Sequence, residues 1–201
     1  MASSAGMGRD EQRLTLAGYL AGEETNRRSE LAWGVLREPP APSWDHQRIL
    51  GCLFRKLDEH VSRLGLGKVG VSPVDVILDA DRHLVLQPDV VFVAAERCGI
   101  IRDRIWGPPD LVIEVLSPDS RRYDREQKRG WYQQYGVREE WLVDPASRVI
   151  DVCDLIDTPS EIRSHAGAQI VRSRVLPRLR LRVSSVFAHP SNGAQPRSRR
   201  A

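Results

Sequence analysis

Apolar residues at positions 49, 50, 53, 54, 57 and 61 fall on one stripe of a helix, with charges between them. The spacing predicts an amphipathic helix over Trp44–Leu64, opened by Ser43 as N-cap and closed by Gly65. It is the longest segment of its kind and is expected to lie against a sheet. Before it, LTLAGYLAG suggests a short helix from Thr15 to Ala21 with a turn at Gly22. The segment NRRSELAWGVLREP reads as extended chain or a hairpin turning at Gly34, with Pro39-Pro40 closing it. After the long helix the pattern becomes β-type, with one strand from Lys68 to Leu78, a turn at Asp79-Ala80-Asp81, and a second from Leu84 to Ala94. A polar arm with room for a short helix follows over 95–107.

Leu111–Leu116 is a near-continuous apolar run broken by Glu114, as in a central strand covered on both faces. Ser117-Pro118-Asp119-Ser120 is a loop and N-cap signal for a helix over about 121–135, which Gly136 stops. Strands are predicted at Glu140–Val143 and Val149–Leu155, joined by a turn at Asp144-Pro145. In the closing stretch, Arg178, Arg180 and Arg182 alternate with Leu179, Leu181 and Val183, the pattern of a strand with one polar face. No repeat is visible. The order describes one α/β domain over 13–189, a mixed β-sheet flanked by helices, between disordered arms at 1–12 and 190–201.

Composition narrows the partners. Hydrophobic residues are 41% of the 201 and charged residues 28%, ordinary for a soluble domain, and no apolar run approaches a membrane span. The N-terminus lacks the layout of a signal peptide, so a cytoplasmic protein is expected. Cys52, Cys98 and Cys153 are far apart and odd in number, which argues against a disulfide framework or a zinc site. The net charge of +3 resides in the tail, where Arg197, Arg199 and Arg200 stand without an acid. The body is formally neutral, so contact with nucleic acid would depend on local patches and be sensitive to salt. Lysine is nearly absent: Lys56, Lys68 and Lys128 stand against 27 arginines.

Candidate chemistry lies between Gln87 and Tyr135. Two hydrophobic runs each open on Pro-Asp, Asp89 starts the first, and Glu114 sits inside the second. An unpaired carboxylate in an apolar strand is costly, so Glu114 calls for a metal or a buried Arg partner. Two carboxylates on neighbouring strands can share Mg²⁺, which takes hard oxygen ligands and keeps several waters. Asp124, Lys128 and Tyr132 follow at i, i+4 and i+8 on one face of the next helix. By spacing alone a solvated Asp–Lys pair is the plainer reading. The sharper one turns that face toward Glu114 and brings the ammonium to a scissile phosphate.

The segments SELAWGVL (29–36), DHQRILGCLFRKL (45–57), SPVDVIL (72–78), QPDVVFV (87–93), PDLVIEVLSPDSRRYDREQKRGWYQQYGVREEWLVDP (109–145) and LPRLRLRV (176–183) together resemble the Uma2 family. That family belongs to the PD-(D/E)XK nucleases of restriction-endonuclease-like fold. The most specific block is the EVLSP loop, the K-x3-Y helix and GV-x-E-x-WLVDP. In such proteins the lysine of the strand motif is missing, here Leu116, and a lysine of the next helix replaces it. The resemblance therefore implies Asp89, Glu114 and the main-chain carbonyl of Val115 as metal ligands, Lys128 as catalytic cation and Glu30 as an added acid. His46 and Asp75 also match family positions without an assigned role. The implied activity is Mg²⁺-dependent hydrolysis of DNA phosphodiesters, with Mn²⁺ able to substitute; a homodimer is expected because cutting both strands commonly uses two-fold symmetry. The alternative is a protein of the same fold that binds nucleic acid or a partner without cutting.

Overall fold

The long helix forms where its stripe predicts. In a computed structural model, which describes residues 13–22, 27–118, 123–158 and 161–188, it is Trp44–Leu64. Ser43 accepts a hydrogen bond from the His46 amide, and Gly65 closes the end in the left-handed conformation at φ +64°. Replacing Ser43 by alanine is expected to cost about 1 kcal/mol, read as a lower urea midpoint with an unchanged slope. An unchanged midpoint would mean that packing alone sets this end of the helix.

In chain order the elements are α1 (Leu16–Leu20), β1 (Glu30–Ala32), β2 (Val35–Arg37), α2 (Trp44–Leu64), β3 (Gly67–Val71), β4 (Val76–Asp79), β5 (Leu84–Leu86) and β6 (Val90–Ala94). A 3₁₀ turn over Ala95–Ile100 leads to β7 (Ile105–Trp106) and β8 (Leu111–Val115). A π-helical turn over Tyr123–Lys128 runs into α3 (Arg129–Tyr135), followed by β9 (Glu139–Asp144), β10 (Val149–Asp154), β11 (Ile162–Ala166) and α4 (Ser184–Phe187). The strands form two mixed sheets, one ordered β2-β1-β5-β4-β7 and the other β11-β10-β9-β8-β6-β3.

Three sequence expectations are corrected here. Lys68–Leu78 is two strands, because the chain breaks at Ser72-Pro73 and β3 and β4 join different sheets. Leu84–Ala94 likewise divides at Gln87-Pro88-Asp89, where proline cannot donate to a ladder. The alternating Arg and Leu residues near the end do not make a strand: Arg178 has φ +61°, and the segment joins a sheet pattern only at the isolated bridge Ile170↔Arg182. The last strand is β11, which the polar sequence IRSHA did not announce. The terminal arms at 1–12 and 190–201 lie outside the described residues, as do Asp119 and Ser120 of the proposed N-cap.

Alternation along the central strands builds two cores. Val90, Phe92, Leu111, Ile113, Val115, Trp141 and Val143 pack with Ile49, Leu53, Leu57 and Val61 of α2. Val91 and Val112 face the other way, toward Tyr132 and Val137 and toward Leu84, Leu86 and Val76 of the second sheet. Both faces of the six-stranded sheet are thus covered, which accounts for its continuous apolar strands. Glu114 shares the parity of Val112 and is directed to the side covered by α3.

Candidate active site

Strand direction decides which acids meet. β6 and β8 are antiparallel with Val90 opposite Ile113, so Asp89, just before β6, lies beside the Glu114–Val115 end of β8. Asp89 Oδ2 accepts a 2.6 Å hydrogen bond from the Val115 amide. The second Pro-Asp pair ends at the opposite edge: Asp110 accepts from the Ala94 amide at 2.8 Å and pairs with Arg97 at 2.9 Å. The two similar motifs therefore do different work. Asp89 is buried beside Glu114, whereas Asp110 ties two strand ends.

Lys128 arrives from the π-helical turn. Its ammonium is buried and lies 2.7 Å from Glu30, 3.0 Å from Glu114 and 3.3 Å from Asp124. Burial alone would discharge the amine, but Glu114, Glu30 and Asp124 outweigh it and raise its pKa. Lys128 is a permanent cation here, and the solvated-pair reading is excluded. Tyr132 donates to the same Glu114 oxygen at 2.8 Å, fixing the carboxylate from the helix side. Burial is also the main influence on Glu114; Lys128 opposes it and Asp124 adds to it, leaving its pKa raised to about 8. Asp89 goes the other way. Burial opposes its ionisation, yet Arg28, His46 and the Val115 amide together hold its pKa below the usual carboxylate range.

Arg28 was not anticipated. Its guanidinium spans the two central acids, with Nη1 2.8 Å from Asp89 Oδ1 and Nη2 3.2 Å from Glu114 Oε2, and it also donates to the Gln87 carbonyl. The available signal was the spacing: residues 28 and 30 project to the same side of an extended chain. His46, at the start of α2, places Nε2 3.3 Å from Asp89 Oδ2. Asp75 stands one layer back, accepting from Arg104, Tyr19 and Gln87, while the Gln87 amide donates to Glu30 at 3.1 Å.

Arg28, Glu30, His46, Asp124 and Lys128 border a cleft of about 880 Å³, with further lining from the β1–β2 hairpin, the Pro39–Pro42 segment, the start of α2 and the loop after β8, and Asp89 and Glu114 lie closed off beneath. An aromatic frame holds the hairpin to the Lys128 segment. Arg37 lies 3.8 Å over the Tyr123 ring, and Trp131 contacts both Tyr123 and Trp33 edge-on. Trp141 is fully buried in the core, and Arg172, Arg174, Arg178, Arg180 and Arg182 are exposed. Cys52, Cys98 and Cys153 are free thiols.

The donor set fits a divalent metal. Four carboxylates, from Glu30, Asp89, Glu114 and Asp124, gather around Arg28 and Lys128, an oxygen-rich set of the kind hard divalent ions take. Asp89 Oδ1 and Glu114 Oε2 already converge on one cation. Val115 directs its amide to Asp89, and a strand residue presents its carbonyl along the same edge. Among the described residues no three His, Cys, Asp or Glu side chains form a metal cluster, so the fit rests on two carboxylates and a carbonyl.

Two mixed sheets with flanking helices, and acids of β1 and β8 meeting a buried lysine, define a protein of restriction-endonuclease-like α/β fold. The chain matches, over residues 11–184, the model of a family described as "Uma2: Putative restriction endonuclease", and it belongs to that family. No curated protein matches it. Among solved structures it is similar to a "putative nuclease belonging to DUF820" from Anabaena variabilis ATCC 29413, with 20% identity and a TM-score of 0.73 over 87% of this chain and 97% of that one. That likeness is one of fold. Among the described residues no helix is long and apolar enough to cross a membrane.

Proposed function

We propose that the protein is a Mg²⁺-dependent DNA endonuclease, with Mn²⁺ able to substitute. The observation that carries this reading is the convergence of Asp89, Glu114 and the buried Lys128 ammonium beneath a cleft that Arg28, His46 and Lys128 line. Asp89, Glu114 and the Val115 carbonyl would hold the ion. When bound, the ion supplies an activated water and neutralises charge developing on the cleaved phosphodiester.

The chain's own residues do the remainder. Tyr132 and Lys128 together fix Glu114 Oε1, leaving Oε2 turned away from them. The Val115 amide and His46 do the same for Asp89 Oδ2. Lys128 keeps a full positive charge in a site from which water is largely excluded, where it stabilises an anionic transition state more than it would in bulk water. Glu30 holds that ammonium at 2.7 Å and so positions it. Arg28 and Arg37 line the cleft and suit a phosphate backbone. A homodimer would set two such clefts on the two strands of a duplex by two-fold symmetry; light scattering on the purified chain tests it.

The function is tested by nicking of supercoiled plasmid with Mg²⁺ or Mn²⁺, beside EDTA controls and the variants Glu114→Gln and Asp89→Asn. Nicking that needs metal and disappears in both folded variants is the expected result. Equal nicking by all three proteins would mark a contaminant and remove this assignment. Plasmid binding without cutting in either metal would instead favour a silent protein of the same fold.

A further inference from the structure

We infer that the Arg28 guanidinium occupies the seat of the divalent ion, so that ion and side chain compete and Arg28 sets the metal affinity of the site. The inference rests on the reading of Asp89 and Glu114 as metal ligands.

Each of these carboxylates has one oxygen committed elsewhere. Asp89 Oδ2 is taken by the Val115 amide at 2.6 Å and His46 at 3.3 Å, and Glu114 Oε1 by Lys128 at 3.0 Å and Tyr132 at 2.8 Å. The oxygens left to face a common point are Asp89 Oδ1 and Glu114 Oε2. Arg28 holds those two. An ion bonding them at roughly 2.0–2.1 Å would stand against a guanidinium that cannot give up its proton. Repulsion at that separation leaves one exit, rotation of the side chain.

The surroundings permit the rotation. Arg28 lines the cleft and is partly exposed, whereas the acids beneath it are closed off from solvent. Its Nε has no hydrogen-bond partner, so the fork is retained by its terminal nitrogens alone. In the absence of metal the guanidinium offsets part of the negative charge on the two acids. Once turned out, it faces the cleft, where a phosphodiester would accept its two parallel hydrogen bonds. The residue thus changes partner from carboxylates to phosphate as the site fills.

The test is calorimetric titration of Mn²⁺ into wild type, Arg28→Met and Arg28→Lys, with Mg²⁺ titrations followed through the Arg28 Nε–H signal of ¹⁵N-arginine-labelled wild type. Arg28→Met keeps the aliphatic stem and is expected to bind Mn²⁺ at least about tenfold more tightly, since the competing cation is gone. Arg28→Lys, a single point charge unable to span both acids, should fall between the two. The wild-type Nε–H signal should shift as Mg²⁺ saturates. Equal or weaker binding by both variants, with wild type binding normally, would overturn the competition and leave the nuclease reading intact. Should Arg28→Met not fold, an unmoved Nε–H signal in metal-saturated wild type would overturn it equally. Absence of binding by every protein, including wild type, would remove the metal site and this inference with it.

Discussion

Lys128→Met is expected to lower metal-dependent nicking by at least about a hundredfold, the scale of losing one preorganised charge at a developing anion. The same change should destabilise the fold by about 3–5 kcal/mol, because it leaves buried charges uncompensated. Glu30, Glu114 and Asp124 all lie within 3.3 Å of the ammonium, and methionine offers none of them a proton. The two effects separate by measurement. Nicking is assayed well below the variant's own melting temperature, with its circular dichroism spectrum matching wild type. Adding Glu114→Gln to Lys128→Met should restore part of the stability, since one orphaned acid is removed, and none of the activity. A Lys128→Met protein that nicks like wild type would dismiss the lysine as the catalytic cation.

Metal-free stability should fall as pH rises from about 5 to about 8. Glu140 and Glu114 are both buried carboxyls, with pKa values raised by burial to about 7 and about 8. Arg129 pairs with Glu140 at 2.7 Å but leaves its Oε1 without a partner, so pairing does not cancel the burial. A folded-state pKa above the unfolded one means that the folded chain binds more protons through this interval. The contribution is therefore complete below the ordinary glutamate value, about 4.5, and is lost as pH rises through 7 to 8. Roughly 3 kcal/mol for Glu140 and about 5 kcal/mol for Glu114 are upper bounds. Asp89, whose pKa is lowered, has the opposite sign and removes stability only in stronger acid. Urea midpoints at pH 5 and pH 8 check this, and Glu140→Gln should narrow the gap between them. A wild-type midpoint that is flat or higher at pH 8 would show that the two acids are ionised in the folded chain.

The parts of the fold that could be read in advance are those where one periodicity dominates. α2 has a full apolar stripe between Ser43 and Gly65, and its observed bounds are those its pattern predicts. The β-type stretches were read as too few strands because apolar residues continue on both sides of each proline, so hydrophobicity alone marks no break. The breaks are at Pro73 and Pro88, and each sends the chain into a different sheet. Near the C-terminus, alternation of Arg and Leu imitates a strand, but Leu181 and Val183 pack from irregular backbone. In the site, Glu114 was conspicuous as an acid in an apolar strand, and the structure brings Glu30, Asp89 and Lys128 to it. Asp124 and Tyr132 were visible as a helix face without a known direction. Arg28 was hidden among 27 arginines, distinguished only by its spacing two residues before Glu30. Only the meeting of β1, β6 and β8 gives it meaning.

Lys128 comes from a helix rather than from the strand that carries Glu114, and this has a consequence for folding. The cluster draws on residues 28, 30, 89, 114, 124 and 128, so no short stretch of nascent chain contains it. Closing such distant pairs costs loop entropy before any reward, which makes them late events. During synthesis Asp89 and Glu114 leave the ribosome ahead of Lys128, with Arg28 already available to neutralise them. A ribosome making this chain would thus release both carboxylates before the ammonium of Lys128 that they will share a site with.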